Sequence, residues 1–102
     1  AALRSARDDD SVLTNVFTGR PARGIKNRFV REIGPMSAAA PPFPLAANSV
    51  APLRAKAEAK GSGDFSPLWT GQAGPLCQEM DAAALTSKLA EEALAQMRAL
   101  SR

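Results

Sequence analysis

Few residues in this chain are equipped for chemistry. The sequence contains no histidine and one cysteine, Cys77, which removes the usual zinc ligand sets and any Ser-His or Cys-His nucleophile built from its own side chains. Two stretches keep groups suited to ligand work. The first carries Arg20, Arg23, Lys26, Arg28 and Arg31, cations whose spacing could grip phosphates. Glu32 closes that run, and a solvated or salt-bridged face is the commoner use of such a pattern, so no nucleic-acid partner is expected. The second is Thr70-Gly71-Gln72-Ala73-Gly74, directly after the only tryptophan, Trp69. Glycines on either side of a glutamine allow close backbone approach and can offer N–H groups to a ligand, although a plain tight turn uses the same residues more often. Asp8, Asp9 and Asp10 are consecutive and lack the spaced ligands and trailing glutamate of a calcium loop, so no metal is expected. Glu91 and Glu92 fall on a solvated helix face, which does not suit paired acid–base work.

These groups must be positioned by a thin core. A chain of 102 residues has room for one small domain, and much of its 45% hydrophobic content is alanine, which buries little area per residue. The net charge of +3 is a mild excess. No run of about 18 apolar residues and no leader pattern occur, so no membrane partner is expected. A lone cysteine needs no oxidising compartment, and the expected location is cytoplasmic.

Residues 1–7 look like the last turns of a helix, with Leu3 and Ala6 at i, i+3. From 11 to 17 the chain is apolar or β-branched at most positions, with Val12, Thr14 and Val16 pointing one way and Leu13 and Phe17 the other. Burial on both sides predicts a strand inside a sheet. No second strand is evident, so its partner is expected from outside this chain. Gly19 and Pro21 break the strand, and Pro21 suits the first position of a helix. Ala22, Ile25, Phe29 and Ile33 fall at helical spacing and predict a helix over 22–33, with Arg23, Asn27, Arg28 and Arg31 on the opposite, basic side. Gly34 and Pro35 stop it. Residues 36–47 predict an extended connection in which Pro41, Pro42 and Pro44 favour polyproline geometry around Phe43. Asn48 or Ser49 would cap a helix to about Lys60, with Pro52 in its first turn. Asp81 caps a last helix over 82–100, whose stripe is Leu85, Leu89, Ala93, Met97 and Leu100. The expected class is mainly α with one orphan strand.

The string Thr-Asn-Val-Phe-Thr-Gly-Arg-Pro-Ala-Arg-Gly-Ile-Lys-Asn-Arg-Phe at 14–29, and Leu-Trp-Thr-Gly-Gln-Ala-Gly at 68–74, resemble the C-terminal region of the nitronate monooxygenases, also called 2-nitropropane dioxygenases. The resemblance implies a flavoprotein oxidoreductase with a (β/α)8, or TIM, barrel that carries FMN at the C-terminal ends of its strands, plus a smaller second domain. Residues 1–102 would be the C-terminal portion of that α/β enzyme, from the second domain, with the barrel missing. The intact enzyme would oxidise alkyl nitronates with O2. The family's catalytic histidine and flavin-phosphate loops come from the barrel, so this chain alone is expected to be inactive and not to bind FMN. Its partners would be the missing barrel and, in the intact enzyme, a small nitronate and O2. By position, Thr70, Gly71 and Gln72 match the segment that approaches flavin and substrate. Gly19, Arg20, Pro21, Arg23 and Asn27 match a motif whose implied role is structural, tying strand, turn and helix to the barrel. The alternative is a non-catalytic helical interaction module that binds a protein partner or an anionic surface through its basic face or its Ala-rich last helix.

Overall fold

The computed structural model describes residues 2–7 and 9–101 of the chain. Strand β1 (Ser11–Thr14) pairs antiparallel with β2 (Ala22–Ile25), with Ser11 opposite Ile25 and Thr14 opposite Ala22. The orphan strand therefore has its partner within the chain, which corrects the expectation of one unpaired strand. It also ends at Thr14 rather than at Phe17. Residues 22–25 are strand, not the first turn of a helix. Both edges of β2 carry hydrogen bonds. Away from β1, the Ile25 N–H donates to the Leu68 carbonyl at 2.8 Å, the Thr70 N–H donates to the Arg23 carbonyl at 3.2 Å, and Gly24 bridges Trp69 antiparallel. A helix beginning at Ala22 would give up all of these, and Gly24 adds nothing to helix propensity.

Helix α1 (Arg28–Ile33) starts after the hairpin and is stopped by Gly34, as the sequence predicts. Val30 from this helix packs with Val16 and Phe17 to form the core, and Val12 and Phe29 flank it. Four of the five aromatic residues make one chain of ring contacts: Trp69 to Phe17 (5.8 Å, edge-on), Phe17 to Phe29 (5.3 Å, edge-on) and Phe29 to Phe65 (6.1 Å). Such contacts add to area burial by about 0.5–1.5 kcal/mol per pair. In this small core they join the hairpin, α1 and the 65–69 segment.

The proline-rich connection is not a free extended spacer. Thr14 Oγ1 donates to the Pro35 carbonyl at 2.6 Å, and Asn15 exchanges two bonds with Ser37, each of 2.9 Å. Residues 43–45 turn directly into helix α2 (Ala46–Ala59). Gly19 lies at φ +95°, where a Cβ would run into the backbone of residues 41–43 that cross over it. Helix α2 begins before Asn48, because Ala46 and Val50 bury one helical turn apart and draw the start upstream. Pro52 is then interior, and its missing N–H leaves the exposed Asn48 carbonyl to solvent. Asp81 caps helix α3 (Ala82–Leu100) by accepting from the Ala84 N–H at 3.2 Å.

At the N-terminus, residues 2–5 form a turn, Arg4 pairs with Glu79, and the Cys77 thiol donates to the Leu3 carbonyl at 3.4 Å. Ala1 and Asp8, which the sequence assigns to a helix end and an aspartate break, lie outside the described residues. The molecule measures 51 × 29 × 22 Å with a radius of gyration of 17.2 Å. A compact domain of this length has a radius of gyration of about 13 Å.

Candidate functional site

The two informative stretches of the sequence meet. Residues 68–70 lie along β2 through the bonds at Ile25 and Thr70, so the 14–29 and 68–74 strings form one structural unit. Trp69 covers the junction. Its ring contacts Phe17 on one side and remains 44% exposed on the other.

Asn27 is the central polar residue of this unit. It is buried, and its Oδ1 accepts from the Val30 N–H at 3.3 Å, capping α1. Its Nδ2 donates to the Gly63 carbonyl at 2.9 Å and to the Ser66 carbonyl at 2.8 Å. One amide thus caps the helix and closes the 63–66 loop against it. Beside that loop, Ser66 Oγ donates to Glu58 Oε1 at 2.6 Å, and Arg54 Nε donates to the same oxygen at 2.7 Å. The serine hydroxyl first, and the arginine second, hold the Glu58 carboxyl below its ordinary range. The loop that precedes Trp69 is therefore anchored to both α1 and α2.

The predicted basic face is not a single face. Arg20 lies in the turn, with its guanidinium 4.5 Å from the centre of the Phe43 ring. Arg23 is on β2 and donates to Ser11 Oγ at 3.2 Å. Only Arg28 and Arg31 belong to α1, and Arg28 is paired with Glu32 at 2.8 Å. That contact raises the Arg28 pKa, through its hydrogen bond first and its charge second. Because 22–25 is a strand, the alternative of an interaction module loses its continuous basic helix and keeps only the Ala-rich last helix as a surface.

Thr70, Gly71 and Gln72 sit at the far end of the unit. The Thr70 N–H is held by Arg23, and the Thr70 hydroxyl donates to the Gly71 carbonyl at 3.2 Å. Gly71 and Gln72 are exposed, the space beside Gly71 is open, and no acceptor among the described residues meets the N–H of either. The result is an uncharged edge with two free donors and one hydroxyl, fixed at its base by β2. Gly19 and Pro21 lie in the turn that joins β1 to β2. Among the described residues no group of three metal-ligating side chains occurs, and no helix is long and apolar enough to cross a membrane.

A model of the nitronate monooxygenase family matches residues 1–92. The chain belongs to the nitronate monooxygenase family. It is 36% identical over 92 residues to a probable nitronate monooxygenase of Staphylococcus saprophyticus, covering 90% of this chain and 26% of that protein. It is also 36% identical to a nitronate monooxygenase of Pseudomonas aeruginosa, covering 89% of this chain and 26% of the relative. A crystal structure of nitroalkane oxidase from Streptomyces ansochromogenes superposes with a TM-score of 0.78 at 39% identity, over 97% of this chain and 28% of that one. The chain thus spans about a quarter of the length of the relatives it matches.

Sequence reasoning missed Ser66 and Glu58, which carry no local signal because their contact depends on α2 folding back over the loop. It also read Asn27 only as part of a polar helix face. Asn followed by Arg28-Phe29-Val30 was a legible N-cap signal, obscured by placing the helix start too early.

Proposed function

We propose that this chain is the C-terminal portion of an FMN-dependent nitronate monooxygenase, contributed from the enzyme's smaller second domain, and that the intact enzyme oxidises alkyl nitronates with O2. Family membership supports the activity. The observation that carries the structural side is the joining of the two motifs into one unit whose polar edge is Thr70, Gly71 and Gln72.

The exposed surface supports the reading of this chain as a portion. A folded monomer of 10.7 kDa exposes about 5,500 Å², whereas this chain exposes 7360 Å², about a third more. Uncovered apolar side chains such as Leu13, Trp69, Leu76 and Leu89 account for part of the excess. Such surface belongs against further protein.

The residues present fit one edge of a flavin rather than its phosphate. Free N–H groups at Gly71 and Gln72, open space and a hydroxyl suit the polar rim of a planar ring or a nitro group, and no cluster of cations or glycine-loop cradle accompanies them. Bound FMN would supply the redox chemistry between nitronate and O2. Within this chain, β2 fixes Thr70 through its backbone and the turn presents the donors. The chain has no histidine, so a histidine base would come from outside it.

The test is made in an intact relative. Replacing the residue that aligns with Thr70 by alanine changes KM or kcat for an alkyl nitronate at least severalfold, and unchanged constants remove Thr70 from the site. Mixed with FMN, the 102-residue chain alone is expected to bind no stoichiometric flavin and to oxidise no nitronate; either result in the positive overturns the assignment as a portion.

A further inference from the structure

Ser66 is tied down from three directions. It is buried. Its carbonyl accepts from Asn27 Nδ2 at 2.8 Å, its N–H donates to the Gly63 carbonyl at 3.2 Å, and its hydroxyl donates to Glu58 Oε1 at 2.6 Å. Among the described residues that carboxylate is the acceptor its hydroxyl has. Glu58 lies in the last turn of α2, where Arg54 donates to the same oxygen at 2.7 Å. An ion pair within one exposed helix contributes little on its own. The serine from outside the helix changes its role, because a buried hydroxyl that loses its acceptor must either be re-exposed or stay unsatisfied.

The chain between the two partners offers little resistance to such a movement. A Cβ at Gly61 would meet nothing within 4 Å, and one at Gly63 would meet only the Leu68 side chain at 4.0 Å. This turn has little packing of its own and is located by hydrogen bonds. Beyond Ser66 the path to Thr70 is short. Pro67 fixes its own φ and narrows the conformations open to Ser66. The Leu68 carbonyl then accepts from the Ile25 N–H at 2.8 Å, and the Thr70 N–H donates to the Arg23 carbonyl at 3.2 Å. The placement of Ser66 therefore feeds into the two bonds that hold Thr70 against β2.

We propose that Glu58 and Ser66 are positioning residues for the Thr70–Gln72 edge, their bond setting where β2 receives residues 68–70. The proposal rests on the reading of that edge as part of the flavin and substrate site. It extends the support of the site to α2, whose Glu58 lies outside both motif strings. Arg54 steadies the carboxylate, but the bond to Ser66 does not require it.

The experiment has two parts. In the 102-residue chain, hydrogen exchange of the Ile25 and Thr70 amides is compared with that of the Asn15 amide, which bonds the Pro35 carbonyl instead. Glu58→Ala is expected to speed exchange at Ile25 and Thr70 at least threefold more than at Asn15. Glu58→Gln, which keeps an acceptor oxygen, restores the parent ratio, and Arg54→Ala leaves it within about twofold. Equal acceleration at all three amides, or none, overturns the proposal. So does an Arg54→Ala effect as large as that of Glu58→Ala. The second part uses a chimera that carries this chain in place of the matching last quarter of the Staphylococcus saprophyticus relative, with kinetic constants expressed per bound flavin. Whichever of KM and kcat Thr70→Ala shifts, Glu58→Ala shifts in the same direction, and Glu58→Gln brings it back. Loss of folded enzyme alone would leave those constants unmoved. If Thr70→Ala changes them and Glu58→Ala does not, this proposal falls and the proposed function stands. If neither variant changes them, the reading of the edge as part of the site fails, while the exchange ratios still support the tie from Glu58 to Thr70. If the chimera binds no flavin, the exchange ratios alone decide.

Discussion

Replacing Asn27 tests the junction most directly, since one buried amide serves three backbone groups. In Asn27→Ala, the cap bond to Val30 is lost, at a cost of about 1 kcal/mol. The carbonyls of Gly63 and Ser66 lose partners at 2.9 and 2.8 Å, at about 1 kcal/mol each. The expected destabilisation is about 3 kcal/mol, a large share of the stability available to a small domain. Urea unfolding followed by Trp69 fluorescence reads it, because the indole contacts Phe17 at the same junction. Asn27→Asp separates the contributions. Its carboxylate keeps the cap acceptor but turns a negative oxygen toward two carbonyls, so at neutral pH it is at least as destabilising as alanine. The sign with pH follows from that repulsion. A carboxyl whose folded-state pKa is raised above its unfolded value penalises folding when ionised, so Asn27→Asp regains stability as pH falls and the protonated group can donate to one carbonyl. An alanine variant within 1 kcal/mol of the parent, or an aspartate variant indifferent to pH, refutes the account of Asn27 as the link between α1 and the 63–66 loop.

Two glycines at positive φ should respond differently to alanine. Gly19→Ala adds a collision with the backbone of residues 41–43 and is expected to cost at least about 3 kcal/mol; Gly61→Ala, at φ +75° in open space, costs only about 1–2 kcal/mol. Thermal melts check both. Ser66→Ala removes the leading cause of the lowered Glu58 pKa, so an NMR titration should show the carboxyl moving up toward its ordinary value. Stability contributed by Glu58 is present above the unfolded pKa and lost as pH falls through the folded one, and that window narrows in the variant. Arg20→Ala removes the cation over the Phe43 ring, costs about 0.5–1 kcal/mol, and raises amide exchange in the 41–45 turn without altering α3.

The sequence by itself determined the features that local chemistry dictates. Asp81 as the start of α3, Gly34 as the stop of α1 and the end of α2 at about Lys60 are legible because caps and breakers act over a few residues. The family was legible in two strings of side chains. Tertiary structure decided what those strings do together. Residues 22–25 fit a helical spacing as well as a strand, and four residues are too few for the two periods to separate. They become β2 because β1 on one side and residues 68–70 on the other supply the hydrogen bonds. The same long-range closure turns Asn27 from a surface residue of a basic helix into the buried link to Gly63 and Ser66, and it divides the arginines among turn, strand and helix. Pairing across some forty residues leaves no mark in local periodicity, because both its cost and its reward arise only when the chain closes.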